Sequence, residues 1–600
     1  MTSFSGELIK FASQELSINE KQILGKVIDQ ILVDLTLGHS CSSLSAIADI
    51  IGYSLAELQT LLKKSDLVGE YTDNIQIAAK PLVIYHELLY ITRYFAYEFA
   101  IAHKVKLLSK YYGQNDGLPF SRLFQELSVL SGKYGLPNSE QLAAIKESVF
   151  NQLSIITGGP GTGKTTTVTL LLWLLIKLYD DRLPVIKICA PTGKAANRVK
   201  ESITGTLEFF SKSQINIDYQ ILTQLLTNSA HFSTIHKLLG YQQNKIYFKH
   251  DATNPLEVDI LIIDESSMIG LPLFGKLLDA IDPQRTRHII FLGDRNQLSS
   301  VEEGYVFASL VNNQNGNDRK QNTLDKVVQP DLFNQPILFD NYSYPVSQLA
   351  SSNRNQGDIA SLATAVLNED TVLATRILQQ SKDALLHSLS IGSIMGELFA
   401  VDGALTIYAK RIFGTAEASV FEYGELFNHF NQHIVLCATN VGRFGTLNLN
   451  LLIEKKLKLI LGINQEWYTG RPVLIMSNDY SLGIFNGDIG ICQIRNDQPY
   501  IVFPNGLELI PEILPQYQLA YAMTIHKSQG SEYQCVSIVL PESSGEAAMY
   551  SRELIYTAIT RAKQKLKIFG KIDYFNKIIK AKLARNSGLE IMLKSTREAI

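Results

Sequence analysis

The segment from residue 153 to residue 167 constrains the fold of this chain more than any other. It reads LSIITGGPGTGKTTT, an apolar run followed at once by a glycine-rich stretch that fits GxxxxGK[ST]. In such a loop backbone N–H groups turn inward on phosphates, while Lys164 reaches the terminal phosphates and Thr165 holds Mg²⁺. A bare match could be a chance glycine loop, but the apolar run before it and the predicted helix after it favour a nucleoside triphosphate site. The predicted phosphate-binding residues are Gly158, Gly159, Pro160, Gly161, Thr162, Gly163, Lys164, Thr165 and Thr166.

The composition fits several domains around this site. The chain has 600 residues, 46% hydrophobic and 19% charged, which is enough for three or four domains of roughly 100 to 200 residues. No segment approaches the roughly 20 apolar residues of a membrane helix, and Glu7 and Lys10 stand where a signal peptide would be apolar. We therefore expect a cytoplasmic protein. The five cysteines form no CxxC pair, so no disulfide framework or zinc site is indicated. The net charge of −3 gives no overall basic surface, so nucleic-acid binding would need a local groove.

Apolar periodicity divides the chain into regions. Residues 1–115 have apolar residues at three- and four-residue spacing and predict a helical domain. Over residues 116–335, β-rich apolar runs alternate with helical patterns, which is typical of a parallel sheet covered by helices. A second series over residues 336–600 predicts a second α/β domain. Within it, short β runs at about 450–520 predict a small inserted barrel, with RNDQ as a hairpin loop.

Strand ends supply the other groups that hydrolysis needs. Asp264 and Glu265 end the apolar run VDILIID, so they are expected beside the phosphate loop at the carboxyl edge of the sheet. We assign Asp264 to Mg²⁺ and Glu265 to the general base. An acidic pair can also cap a helix, but the preceding phosphate loop favours the catalytic interpretation. The run HIIFLGDRNQLSS carries Gln297, an amide expected to sense the γ-phosphate.

Distant segments separate a motor from other nucleoside triphosphatases. AYAMTIHKSQGSEY (520–533) and ELIYTAITRAK (553–563) resemble motifs V and VI of superfamily 1 helicases. APTGKAA resembles motif Ia, FSTIHKLLG motif Ic, and RNQGDIASLA the region around motif IV. GRPVLIMSNDYSLGIFNGDIG (470–490) is the most specific segment. It resembles the RecD family, the alpha subunits of bacterial exodeoxyribonuclease V, in the 5′ to 3′ branch of that superfamily.

The resemblance implies roles for residues that their patterns alone leave undecided. Gln141 occupies the position that reads the adenine edge. Arg354 and Arg561 match the two arginines that reach across a cleft to the γ-phosphate. Together with Lys164, Glu265 and Gln297, these arginines form the implied catalytic set.

The resemblance also implies a DNA path that binds phosphates without reading sequence. A buried structural histidine is the alternative for both histidines on this path, and a structural hairpin is the alternative for the residue of the inserted barrel. The implied DNA-binding residues are Thr192, His236, Asn478, Thr524 and His526.

The implied architecture comprises two RecA-like parallel-sheet motor domains, an N-terminal helical domain that docks onto a partner subunit, and an SH3-like β-barrel insertion in the second motor domain. The implied activity is ATP-dependent 5′ to 3′ translocation on single-stranded DNA and unwinding of duplex ends, with ATP and Mg²⁺ as cofactors. The implied partners are the beta and gamma subunits of a RecBCD-type complex in double-strand break repair and recombination, with the nuclease site on a partner. Two alternatives stay open: a stand-alone helicase, and a regulatory ATPase subunit that controls a partner nuclease.

Overall fold

The structure is a computed structural model, and its described residues form four regions. The regions are an N-terminal domain, two α/β domains with parallel sheets, and a smaller antiparallel sheet. None of the helices within these residues has the length and apolar character needed to cross a membrane. The described residues are 4–12, 16–71, 80–110, 118–134, 136–179, 183–212, 222–223, 231–242, 245, 247–300, 302–313, 343–350, 357–413, 423–479, 481–542, 550–582 and 585–595.

The described part of the N-terminal domain contains helices and a small sheet, and its classification as a helical partner-docking domain stays a prediction. Its elements are α1 (Phe4–Ile9), α2 (Ile18–Thr36), β1 (Ser42–Ser43), α3 (Leu44–Ile51), α4 (Leu55–Lys64), β2 (Val68–Glu70), β3 (Leu82–Tyr85), β4 (Leu88–Ile91) and α5 (Thr92–Leu108). Ser17 and Ser54 begin α2 and α4 with capping boxes, in which a serine hydroxyl and a glutamate satisfy each other's backbone N–H groups. The sheet has the order β1, β4, β3, β2.

Six parallel strands form the sheet of the first α/β domain. Its elements are α6 (Leu118–Tyr134), α7 (Ser139–Phe150), β5 (Leu153–Gly158), α8 (Lys164–Leu178), β6 (Ile186–Ala190), α9 (Gly193–Lys212), β7 (Phe232–Thr234), α10 (Ile235–Leu238), β8 (Ile260–Ile263), α11 (Leu271–Asp279), β9 (His288–Gly293), α12 (Val306–Asn312) and β10 (Val346–Leu349). The strand order is β10, β5, β9, β8, β6, β7, and β10 carries the sheet past the predicted boundary at residue 335.

The apolar runs predicted as strands form β5, β6, β8 and β9, which confirms those predictions. Alternate residues of these strands belong to two hydrophobic cores, one on each face of the sheet. Burial on both faces explains why the runs are apolar throughout rather than alternating. In this order the carboxyl ends of β5, β9 and β8 are neighbours, so the segments that follow them meet at one edge.

The C-terminal half contains a parallel sheet and an antiparallel sheet. Its elements are α13 (Asp358–Leu367), α14 (Thr371–Gln380), β11 (Ala384–His387), α15 (Ile391–Leu398), α16 (Ala404–Phe413), α17 (Tyr423–Phe430), β12 (His433–Cys437), α18 (Thr446–Leu461), β13 (Pro472–Ile475), β14 (Ile489–Arg495), β15 (Gln498–Val502), β16 (Glu508–Leu509), β17 (Tyr517–Leu519), β18 (Ala522–Thr524), β19 (Tyr533–Val539), α19 (Arg552–Ile559), β20 (Ala562–Phe569), α20 (Ile572–Lys580) and α21 (Leu589–Lys594). The parallel sheet has the order β11, β20, β19, β12, β18, and it confirms the predicted second α/β domain.

The antiparallel sheet is inserted between α18 and β18. Its order is β16, β15, β14, β13, β17. The predicted RNDQ hairpin is confirmed: Arg495 pairs with Gln498, and Asn496 and Asp497 both have positive φ, as a type I′ turn requires. The SH3-like barrel classification stays a prediction.

The last described segment, residues 585–595, returns from the second α/β domain to the first half of the chain. Helix α21 packs against α5 of the N-terminal domain and against α12. The Arg585 guanidinium donates to the carbonyl oxygens of Ser300, Glu302 and Gly304 at 2.7–3.0 Å. Residues 585–595 therefore connect the second α/β domain to both preceding domains through helix packing and hydrogen bonds.

Candidate functional site

The phosphate loop lies between β5 and α8, at the carboxyl edge of the first sheet. Gly161 and Gly163 have φ values of 78° and 82°, in the left-handed region that glycine adopts without a Cβ clash. Helix α8 begins directly after Gly163, so the unpaired backbone N–H groups of its first turn adjoin the loop. The other predicted residues lie in the same segment: Gly158 ends β5, Gly159, Pro160 and Thr162 are in the loop, and Lys164, Thr165 and Thr166 begin α8.

Lys164 bonds to the loop itself in this structure. Its ammonium donates to the carbonyl oxygens of Gly158 at 2.6 Å and of Gly159 at 3.0 Å. The charge is therefore held at the loop, and a bound phosphate would compete with these two carbonyl oxygens for it.

Gln141 lies against the loop from the start of α7. The side chain is fully buried. Its Oε1 accepts the backbone N–H of Asn138 at 2.9 Å, and its Nε2 donates to the carbonyl oxygen of Thr162 at 3.3 Å. The amide is thus bonded within the protein on both sides, and adenine recognition by Gln141 stays a prediction.

Asp264 and Glu265 follow β8, as predicted, next to the phosphate loop. Burial and the neighbouring Glu265 carboxylate raise the pKa of Asp264, while the Lys164 ammonium acts in the opposite direction. Glu265 has φ 50° and ψ 40°, a conformation that residues other than glycine seldom adopt and that recurs at functional sites. The structure therefore brings the predicted metal ligand and the predicted general base to the loop.

Asp294 and Gln297 follow β9 on the adjacent strand end. The Gln297 amide donates to Asp294 Oδ2 at 3.2 Å, and the hydroxyl of Tyr556 in α19 donates to the same oxygen at 3.1 Å. Burial raises the pKa of Asp294, although Lys164 and these hydrogen bonds oppose the rise. A residue of the second α/β domain therefore reaches into the site of the first.

Arg561 also reaches this cleft from the second α/β domain. The side chain is only 2% exposed, and its Nε and Nη1 donate to the carbonyl oxygens of Thr557 and Ser531, both at 3.1 Å. Nη2 is buried and has no hydrogen-bond partner among the described residues. Burial lowers the pKa of Arg561, and the Glu265 carboxylate opposes this effect. The second predicted arginine, Arg354, lies outside the described residues.

A nucleotide and Mg²⁺ fit these groups. A buried guanidinium N–H without a partner is a site for an anion, because leaving it unpaired is costly. Thr165 and Asp264 offer a hydroxyl and a carboxylate, and Mg²⁺ commonly takes one or two protein oxygens together with substrate phosphates. No cluster of three or more His, Cys, Asp or Glu able to hold a metal occurs in the described part of the chain.

The segment between β13 and β14, of which the structure describes residues 476–479 and 481–488, is here named the insertion loop. Hydrogen bonds connect two of the predicted DNA residues through it. Asn478 accepts the backbone N–H of Asn486 at 2.8 Å, and Asn486 accepts a hydrogen bond from the Lys527 ammonium. The Lys527 backbone N–H donates in turn to Thr524 Oγ1 at 3.4 Å. Asn478 and Thr524 are therefore connected through two intermediate residues, Asn486 and Lys527.

Thr192 lies beside the same loop. Its hydroxyl caps α9 by accepting the Ala195 backbone N–H at 3.2 Å. At the next residue, Gly193, an added Cβ would lie 2.9 Å from the Phe485 ring of the insertion loop. Burial lowers the pKa of Lys194 to about 8, and Asp488 of the insertion loop opposes this shift. The insertion loop therefore contacts the first α/β domain where motif Ia was predicted.

The two predicted histidines have other neighbours. The His236 ring lies 5.8 Å from the Phe248 ring, and burial together with Lys276 lowers the pKa of His236. Burial and Arg585 lower the pKa of His526. Their DNA contacts stay predictions.

Sequence reasoning missed Tyr556, Thr557 and Arg198. Tyr556 and Thr557 lie inside ELIYTAITRAK, five and four residues before Arg561. The sequence of an apolar helix does not show which of its side chains contact a neighbouring domain. Arg198 of α9 donates to the carbonyl oxygen of Gly530 and lies 3.3 Å from a Glu532 carboxylate oxygen. No local pattern marks Arg198 as a bridge between the two α/β domains.

Family models and solved structures that resemble the chain come from ATPases and helicases. Residues 141–303 match the family described as AAA domain, and residues 519–568 match the UvrD-like helicase C-terminal domain. The Pif1 helicase of Bacteroides bound to single-stranded DNA has 16% sequence identity and a TM-score of 0.38, over 73% of this chain and 93% of that one.

Two relatives carry the same name. RecBCD enzyme subunit RecD of Haemophilus influenzae is 31% identical over 547 residues, which cover 86% of this chain and 81% of the relative. RecBCD enzyme subunit RecD of Mycolicibacterium smegmatis is 30% identical over 534 residues, 86% of each chain. Because these relatives are 30–31% identical along most of its length, the chain belongs to the RecD family of RecBCD enzyme subunits.

Proposed function

We propose that this chain is an ATP-dependent translocase on single-stranded DNA that unwinds duplex ends in the 5′ to 3′ direction. The observation that carries the proposal is that buried Arg561 of the second α/β domain lies near Glu265 and Asp294, the acidic residues that follow β8 and β9 of the first. A hydrolysis site divided between two domains is complete only when they approach, so hydrolysis and product release can drive their relative motion. The RecBCD subunit names of its relatives support a role as the alpha subunit of such a complex.

Each group at the cleft has a proposed role in ATP hydrolysis. Lys164 leaves the loop carbonyls and binds the terminal phosphates, Glu265 accepts a proton from the attacking water, and Gln297 senses the γ-phosphate. Arg561 places its unpartnered Nη2 against the charge that develops in the transition state, and Arg354 is the proposed second arginine. Thr165 and Asp264 would hold Mg²⁺, which neutralises phosphate charge when bound. Gln141 is the proposed adenine contact.

The proposed DNA path runs along the insertion loop, between the two α/β domains. Thr192, Asn478 and Thr524 offer hydroxyl and amide groups to phosphates, and His236 and His526 are proposed as further contacts. Lys194 and Lys527 offer ammonium groups along this path, although the net charge of the chain is −3. A path that touches both domains would shift along the strand whenever their separation changes.

The proposed partners are the beta and gamma subunits of a RecBCD-type complex in double-strand break repair and recombination. The N-terminal domain is the proposed docking domain, and phosphodiester cleavage is assigned to a partner. Purification of the chain from its native cell tests this assembly. Two larger subunits should accompany it, and a chain recovered alone that unwinds DNA well would instead support a stand-alone helicase.

Two variants test the motor itself. Lys164→Ala and Glu265→Gln should bind single-stranded DNA but lose DNA-stimulated ATPase activity by about 100-fold or more, the usual scale for such groups. Lys146→Ala and Glu147→Gln are matched controls, because both side chains are exposed on α7. Retained activity in Glu265→Gln would remove its assignment as the base.

Polarity needs a separate experiment. Strand displacement is measured on duplexes that carry only a 5′ tail or only a 3′ tail. The proposal expects unwinding from the 5′ tail, and a preference for the 3′ tail would contradict it.

A further inference from the structure

Tyr556 joins the second α/β domain to the predicted phosphate sensor. Its hydroxyl and the Gln297 amide both donate to Asp294 Oδ2, at 3.1 and 3.2 Å. Asp294 Oδ1 accepts the backbone N–H of Asn296 at 3.0 Å. Tyr556 and Asp294 are 5% and 2% exposed, so water does not readily replace these bonds. One buried carboxylate oxygen therefore connects Gln297 with α19.

Two further side chains of the second α/β domain hold the same segment. Residues 294–298 are here named the sensor loop. The Leu298 backbone N–H donates to Thr557 Oγ1 at 2.9 Å, and the Leu298 carbonyl oxygen accepts the Gln529 amide at 3.0 Å. The sensor loop follows a strand of the first α/β domain, yet side chains of the second bind it at both ends.

The Tyr556 hydroxyl also lies over the phosphate loop. A Cβ added to Gly159 would be 3.0 Å from this oxygen and 3.9 Å from Asp294 Oδ2. The Lys164 ammonium bonds to the Gly159 carbonyl oxygen at 3.0 Å. The group that binds the terminal phosphates in the proposed function, the sensor loop and α19 therefore meet around one glycine.

We propose that Tyr556 is a positioning residue for ATP hydrolysis, which acts through Asp294 to hold Gln297 at the phosphate loop and links the state of that site to α19. The inference rests on the proposed ATPase function and deepens it. When Gln297 turns from Asp294 toward a phosphate, Asp294 loses a donor, and Tyr556 keeps the buried carboxylate satisfied. Because Tyr556 and Arg561 are five residues apart along the same segment, the same hydrogen bond also fixes the approach of Arg561.

The test compares Tyr556→Phe with the wild-type protein. The variant keeps the ring and loses only the hydroxyl, so kcat for single-strand-stimulated ATP hydrolysis should fall about tenfold, as expected for one hydrogen bond to a charged group. The KM for ATP and the Kd for single-stranded DNA should change less than about twofold, since uniform binding is untouched. Tyr344→Phe is the matched control, because its buried hydroxyl bonds to the Leu310 carbonyl oxygen at 2.9 Å away from the cleft.

A second variant covers a failure of Tyr556→Phe to fold. Thr557→Val removes the acceptor of the Leu298 N–H and should also lower kcat without raising KM. Wild-type kcat in Tyr556→Phe, or a raised KM at unchanged kcat, would overturn the positioning role alone. If Tyr556→Phe is unfolded at the assay temperature, wild-type kcat in Thr557→Val overturns it. A wild-type chain without DNA-stimulated ATPase would overturn the proposed function and this inference together.

Discussion

Replacing Glu98 by alanine should release residues 585–595 from the N-terminal domain. The Glu98 carboxylate is fully buried in α5. It accepts hydrogen bonds from Ser40 Oγ at 2.5 Å, Ser587 Oγ at 2.6 Å, Tyr90 Oη at 2.9 Å and the Gly588 backbone N–H at 3.0 Å. At a net value of about 1 kcal/mol per bond, the four bonds contribute about 4 kcal/mol. Burial of the Glu98 carboxylate raises its pKa, and the cost of this desolvation opposes the stabilisation by the four bonds.

Hydrogen exchange measures this effect locally, where a global unfolding curve for several domains would not be two-state. Ser587 and Gly588 supply two of the four bonds, so the segment with α21 loses about 2 kcal/mol of stabilisation. This loss should speed hydrogen exchange in α21 by up to about 30-fold. Glu590→Ala is the control: it removes the same side chain from α21 itself, where the carboxylate only accepts a 3.4 Å bond from Asn312. Equal protection of α21 in the Glu98 and Glu590 variants would refute the reasoning.

Three other perturbations have defined outcomes. The Asn586 backbone N–H donates to His39 Nδ1 at 2.8 Å, so this nitrogen must be unprotonated. Burial lowers the pKa of His39 in the folded protein. The hydrogen bond therefore stabilises the fold above the ordinary histidine pKa of about 6.5, and this stabilisation is lost as the pH falls through the lowered pKa. The hydrogen-exchange protection of α21 should therefore drop more between pH 7.5 and pH 5 in the wild type than in His39→Gln. Gly163→Ala would place a Cβ 2.2 Å from Gln141 Nε2 at a residue whose φ is 82°, so an equilibrium binding measurement should detect no ATP affinity. Gly205→Ala is the control and should retain ATP affinity, because no atom lies within 4 Å of the added Cβ on α9. Lys527→Ala should weaken single-strand binding and reduce the slope of log affinity against log salt by about 0.7, and an unchanged slope would contradict a phosphate contact.

Strands and strand-end chemistry were predictable because burial on both sheet faces leaves continuous apolar runs. Asp264 could be placed beside the phosphate loop because it directly follows the end of such a run. The hairpin at Asn496 and Asp497 was also predictable from the sequence, since asparagine and aspartate both tolerate positive φ. Local sequence was sufficient wherever backbone conformation and burial determined the outcome.

The small N-terminal sheet was not predicted, because its signals are weak. The turn between β3 and β4 uses His86 at φ 54°, where hairpin turns usually place glycine or asparagine. Tyr556 was missed for a different reason. Its role depends on the approach of two domains far apart in sequence, and a tyrosine in a buried helix is otherwise ordinary core.

The return of residues 585–595 to α5 has a consequence for the order in which the protein can fold. Domains generally fold as they leave the ribosome, beginning with the N-terminal one. Two of the four donors to Glu98, Ser587 and Gly588, are synthesised almost five hundred residues after it. Until Ser587 and Gly588 are synthesised, water takes the place of these two donors at the Glu98 carboxylate. The face of α5 against which α21 packs is exposed during that time. The N-terminal domain therefore reaches its final surface only after both α/β domains have been made, which places its maturation last although its sequence comes first.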